Sequence, residues 1–193
     1  MVTHTNRRGD TYYVHVRKTK TGKNRYYASK DPDDAWVGPL PDEYEIYENP
    51  NGRVFVRRKR ASGFTAEEIR TVEREVRERS ALKRWAYKVE GRDDAITVHE
   101  IGQDLDGLVS MLNPWMAKDE RRMADLAAKT GTYEPMMRFR LIEEDPRTFQ
   151  TERFCFLGGI DDWMPIGDPG ELAELAEEFA RHLGRDSFYE LMR

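Results

Sequence analysis

Apolar and polar residues alternate over much of the first sixty positions. In Tyr12-Tyr13-Val14-His15-Val16-Arg17 and Arg53-Val54-Phe55-Val56-Arg57 the aliphatic side chains recur at every second residue, and Tyr44-Glu45-Ile46-Tyr47 sets Tyr44 and Ile46 at the same spacing, the period expected of strands with one buried face. A further β-prone run, Arg25-Tyr26-Tyr27-Ala28-Ser29, follows the turn-forming Thr21-Gly22-Lys23-Asn24. The second pair of runs flanks Asn49-Pro50-Asn51-Gly52, where Asn-Gly tolerates positive φ. The pattern predicts two β-hairpins, joined by a loop through Asp31-Pro32-Asp33-Asp34 and Gly38-Pro39-Leu40-Pro41.

The period then lengthens. Thr65 and Glu68 have capping-box spacing, and Phe64 and Ile69 stand where a hydrophobic staple would close, so a helix is expected from about 66 to 84. Ile69, Val72 and Val76 form its narrow apolar stripe. Strands are expected at 85–90 and 95–100, and helices at 105–112 and 113–131, the latter opened by Asn113-Pro114. Runs 137–142 and 149–156 read as antiparallel partners, with 163–166 as a third strand. A helix from Asp168-Pro169 to about Leu183 and a last turn or two over 187–192 close the chain. The predicted class is α+β: an N-terminal antiparallel sheet of two hairpins, then a mixed domain with a three-stranded antiparallel element and peripheral helices. The expected division is a basic domain at 1–62 and an acidic one at 63–193, or one continuous globule.

Charge sharpens that division. The net charge of -4 conceals a basic head, since residues 1–63 hold 13 Lys/Arg against 8 Asp/Glu while residues 101–193 hold 11 against 19. Such asymmetry points to an anionic partner at one end. Charged residues reach 35%, yet 8 Phe, 9 Tyr and 4 Trp argue for a folded chain rather than a disordered one. Cys155 is the single cysteine, which excludes an intramolecular disulfide. With no apolar run at the start and none of 18 residues elsewhere, the expected setting is cytoplasmic, with no membrane partner.

Several blocks resemble a family of uncharacterised microbial proteins: Lys18-Thr19-Lys20-Thr21-Gly22-Lys23 with Tyr26-Tyr27, Tyr44-Glu45-Ile46-Tyr47-Glu48-Asn49-Pro50, Phe154-Cys155-Phe156-Leu157-Gly158-Gly159-Ile160-Asp161-Asp162-Trp163, and Ser187-Phe188-Tyr189-Glu190-Leu191. They span nearly the whole chain, with residues 101–130 unmatched. The resemblance implies no activity.

If Val14, Val16, Ile46, Val54 and Val56 face inward, the opposite face presents Tyr13, His15, Arg17, Arg25, Tyr27, Tyr47, Arg53, Phe55 and Arg57. Aromatics interleaved with arginines can stack bases and contact phosphates, and Lys20 and Lys23 at the first hairpin tip extend the footprint. The expected function is non-enzymatic binding of nucleic acid, RNA or single-stranded. Packing of this face inside the fold is the structural alternative. The other functional readings are a protein-interaction module, using Met111, Trp115, Met116, Met123 and Leu126, and a metal-dependent hydrolase using Asp161 and Asp162 with Glu143, Glu144 or Asp145. Cys155 reads as a small buried hydrophobe, and His4, His15, His99 and His182 have no metal-ligand or catalytic spacing. No phosphate-loop pattern occurs, and no cofactor is expected.

Overall fold

The computed structural model describes residues 1–60, 63–156 and 161–191. Among these, the elements in chain order are β1 (Thr3–Thr5), β2 (Thr11–Lys18), β3 (Asn24–Ser29), β4 (Tyr44–Glu48), β5 (Val54–Arg58), α1 (Ala66–Arg79), β6 (Tyr87–Arg92), β7 (Ala95–Ile101), α2 (Leu105–Leu112), α3 (Pro114–Ala117), α4 (Glu120–Thr130), β8 (Tyr133–Glu144), β9 (Arg147–Phe156), β10 (Asp161–Pro165) and α5 (Leu172–Ala180). The chain is α+β. It divides into two compact units, Met1–Ala61 with Asp125–Thr132, and Ser62–Ala124 with Tyr133–Arg193. Among the described residues no helix is long and apolar enough to cross a membrane.

Both expected hairpins form in the first unit, but they do not share one sheet. β1, β2 and β3 make a three-stranded antiparallel sheet, while β4 and β5 pair only with each other. Alternation sets which face is inward and leaves open which strands become neighbours. The additional strand β1 comes from Thr3-His4-Thr5, which pairs Thr3 with Tyr13 and Thr5 with Thr11. Asn6 holds the two sheets together. It is 4% exposed, its Oδ1 accepts the amides of Arg8 and Asp10, and its Nδ2 donates to the Gly52 carbonyl at 2.7 Å. Gly52 closes the β4–β5 turn at φ 73, a conformation in which a Cβ is strained. Arg7 adds bonds to Glu48, Asn49 and Pro50. Inside the unit, the buried Tyr26 ring meets Tyr44 at 4.9 Å and Trp36 at 5.8 Å, edge to face.

The second unit is built on a five-stranded antiparallel meander in the order β10-β9-β8-β7-β6. The expected three-stranded element is therefore extended by the β6–β7 hairpin, which joins through β7 beside β8. Ile96, Val98, Met137, Phe139 and Phe149 line one face and pack with Val72 and Val76 of α1 and Leu175, Ala176 and Phe179 of α5. The capping box at Thr65 and Glu68 is formed. The helix it starts ends at Arg79 rather than 84, where the Ser80 hydroxyl accepts the Leu82 amide. The single helix expected over 113–131 is two, because the Asp119 carboxylate accepts the Arg122 amide and starts α4 afresh.

Candidate nucleic-acid interface

β2 and β3 place the first half of the expected face together. Antiparallel pairing sets His15 opposite Tyr27 and Arg17 opposite Arg25, while Val14 and Val16 pair with Ala28 and Tyr26 on the other side. The turn is held by the Gly22 amide on the Thr19 carbonyl and the Lys23 amide on the Thr19 hydroxyl. Arg17, Lys18, Lys20, Lys23 and Arg25 are all exposed, and none of them makes an ion pair among the described residues. Tyr27 is 39% exposed, with the Arg17 guanidinium 5.7 Å from its ring centre.

His15 lies beneath this surface rather than on it. It is 5% exposed, its Nε2–H donates to the Asp31 carbonyl at 2.9 Å, and its ring stacks against Tyr27 at 5.2 Å. The hydrogen bond requires the proton on Nε2. His15 therefore orients Tyr27. Tyr13 is half-buried beside it, opposite Ser29.

The second half of the expected face sits on the separate β4–β5 hairpin. Tyr47 and Phe55 are opposite one another, with rings 6.1 Å apart, and Phe55 is 45% exposed. Arg57 is committed here: its guanidinium covers Tyr47 at 3.9 Å and its Nε donates to Glu45 at 2.7 Å. Arg53 precedes the strand and lines a polar cleft of about 350 Å³ with Asn6, Arg8, Asp10, Tyr12 and Lys30. Sequence reasoning missed this cleft, since its lining residues come from segments far apart in the chain that Asn6 and Arg7 join to residues 48–52. Lys30 pairs with Asp10 at 2.9 Å and holds that carboxyl below its ordinary value, chiefly by the hydrogen bond.

The other candidates are not assembled. Glu143 and Glu144 lie at the β8–β9 turn, with Glu144 opposite Arg147, whereas Asp162 pairs with Cys155 at the far end of β9. Eight residues of strand, roughly 26 Å, separate them. Asp162 is exposed and accepts the Trp163 amide, and the Asp161 side chain and Gly158-Gly159 lie outside what is described. Among the described residues no group of three His, Cys, Asp or Glu could hold a metal ion. Cys155 is buried.

The Met/Trp set divides as well. Met123 is fully buried, whereas Met111 and Trp115 are each 85% exposed, together with Leu112 at 79% and Leu108 at 56%. Ordinary core packing therefore accounts for Met123 but not for Met111 and Trp115.

Comparison with protein-family models, curated proteins and solved structures finds no match to this chain.

Proposed function

We propose that this chain is a non-enzymatic, cytoplasmic nucleic-acid-binding protein that contacts RNA or single-stranded nucleic acid through the β2–β3 hairpin. One observation carries the reading. Between Thr11 and Lys30 there are six Lys/Arg and no Asp or Glu, and five of those cations are exposed without an ion-pair partner among the described residues. Like charges crowded on a small ribbon repel one another and contribute nothing to the fold, but they match a row of phosphates. Exposed Tyr27, oriented from below by His15, adds a stacking platform of the kind single strands use. Phe55 and Arg53 on the second hairpin are the next contacts outward, and Arg57 acts by holding Tyr47.

Fluorescence anisotropy of labelled single-stranded RNA, single-stranded DNA and duplex DNA, with nuclease-treated protein, tests the reading. Saturable binding, tighter for single strands and weaker at 200 than at 50 mM salt, is expected. No binding to any of the three returns the hairpin to a structural role.

The exposed Leu108, Met111, Leu112 and Trp115 favour a second reading, a protein-interaction module centred on α2 and α3. Its mark is a protein complex that survives nuclease treatment and is lost in Trp115→Ala.

A further inference from the structure

The polar cleft of about 350 Å³ in the first unit carries more positive charge than its own acid balances. Arg8, Lys30 and Arg53 line it, against the single carboxylate of Asp10. That carboxylate is already engaged, accepting the Lys30 ammonium at 2.9 Å and the Asn6 side-chain amide at 3.4 Å. Neither Arg8 nor Arg53 makes an ion pair among the described residues. The bond to Asp10 raises the Lys30 pKa above its ordinary value, with Arg8 among the groups that oppose the rise, so these two cations stand within reach of each other's field.

Several of the donors around the cleft are fixed in place. Arg8 lies across Gly52, where an added Cβ would sit 3.3 Å from the Arg8 Cδ and Nε, and its Nη2 donates to the Gly131 carbonyl at 2.8 Å. With its stem and one nitrogen held, Nε and Nη1 have no acceptor among the described residues. Asn49 is set in a similar way: its Oδ1 accepts the amides of Asn51 and Arg53, which leaves its Nδ2 without an acceptor among the described residues. Tyr12, half-buried, is the aromatic residue of the wall. Positive charge gathered in a concavity attracts an anion more strongly than the same charge spread over a convex surface, and donors fixed beforehand lose little freedom on binding it.

We propose that this cleft binds the dianionic phosphate of a phosphomonoester, carried either by a small molecule or by the 5′ end of a nucleic-acid strand. Near neutral pH a monoester carries close to two negative charges, matching the two cations that Asp10 leaves unbalanced, whereas a phosphodiester carries one. Its terminal oxygens take Arg8, Arg53 and Asn49 as donors, and the planar guanidinium fork suits a phosphate better than an ammonium does. The cleft falls at the lower end of the roughly 300 to 1,000 Å³ typical of small-ligand sites, so the group that carries the phosphate has room against Tyr12. The site stands apart from the exposed cations of the β2–β3 hairpin and holds whether or not those meet RNA.

The test is isothermal titration calorimetry of the full chain with adenosine 5′-monophosphate and with adenosine. The monophosphate should bind saturably and adenosine should not. Arg53→Gln should weaken that binding about 10-fold, the loss of one charge-assisted hydrogen bond, and Arg8→Gln should weaken it at least as much. Should Arg8→Gln fail to fold, Arg53→Gln decides alone, because the Arg53 side chain is exposed and makes no hydrogen bond among the described residues. Lys20→Ala/Lys23→Ala should leave the monophosphate affinity unchanged, which separates this site from the hairpin. Anisotropy of one single-stranded RNA bearing a 5′-phosphate or a 5′-hydroxyl distinguishes the two sources. Tighter binding of the phosphorylated strand, lost in Arg53→Gln, assigns the strand end. Equal binding of the two strands, or none of either, with the monophosphate still bound, assigns a small molecule. Failure to bind the monophosphate together with no preference for the 5′-phosphate overturns the site. Binding that adenosine matches, or that persists undiminished in Arg53→Gln, overturns it as well.

Discussion

The β2–β3 hairpin and the five-stranded sheet are both rich in charge and use it in opposite ways. In the sheet unit, arginines meet carboxylates. Glu152 binds Arg138 and Arg140, Glu68 binds Arg147 while closing the capping box, and Glu75 binds Arg74 and Arg79. On the hairpin Arg17, Lys18, Lys20, Lys23 and Arg25 stand exposed with no acid in their segment. Paired charge is accounted for by the fold it sits in. Unpaired charge of one sign is not, and it is the better pointer to a partner.

The most damaging substitution should be on the paired side. Glu152 is almost fully buried between two arginines, so Glu152→Ala should lower stability by about 3 kcal/mol in chemical denaturation, because two half-buried guanidinium groups lose their counter-charge. RNA affinity should be unchanged. On the unpaired side the expectation reverses. Arg25→Ala/Tyr27→Ala should weaken single-stranded RNA binding about 30-fold, the loss of one stacked base at roughly 2 kcal/mol. Lys20→Ala/Lys23→Ala should leave Tm unchanged or slightly raised. A stability loss in that double variant as large as in Glu152→Ala would erase the contrast.

Local signals account for most of what was legible. The capping box at Thr65 and the Asn51-Gly52 turn are written in a few adjacent residues, and both are present. Removing the first by Thr65→Ala should cost about 1 kcal/mol, read from the same denaturation curves. Long-range pairing was not legible. Strand β1 is three residues paired along the edge of β2, and the joining of the two N-terminal sheets uses Asn6 reaching Gly52 across 46 residues. Asp119 reads as one more surface acid until its carboxylate is seen capping α4. For the site, the cations were visible in the sequence but their lack of partners was not. His15 looked like a surface residue because nothing local reveals the Asp31 carbonyl that buries it.

Acid should act on the paired region. Hydrogen bonds from Arg79 and Arg74 outweigh burial and hold the Glu75 carboxyl below its ordinary 4.5. At Glu68, burial pushes the other way but the bonds from Arg147 and the Thr65 amide prevail. The folded chain then binds fewer protons than the unfolded one in this range. The stability these groups contribute is present above about pH 4.5 and is lost as pH falls through their lower folded values. Tm measured from pH 6 down to 3 should decline below that point, and Glu75→Gln should flatten the decline.

The central claim is that the hairpin cations are free to meet phosphates, and the salt dependence of RNA affinity tests it most directly. A single-stranded site should give a slope of log affinity on log salt of about -0.7 for each phosphate contacted. If the hairpin is the contact, the slope of the parent should exceed that of Lys20→Ala/Lys23→Ala/Arg25→Ala by about 2 in magnitude. Equal slopes in the two proteins, with RNA still bound, would place the contact elsewhere and contradict the account.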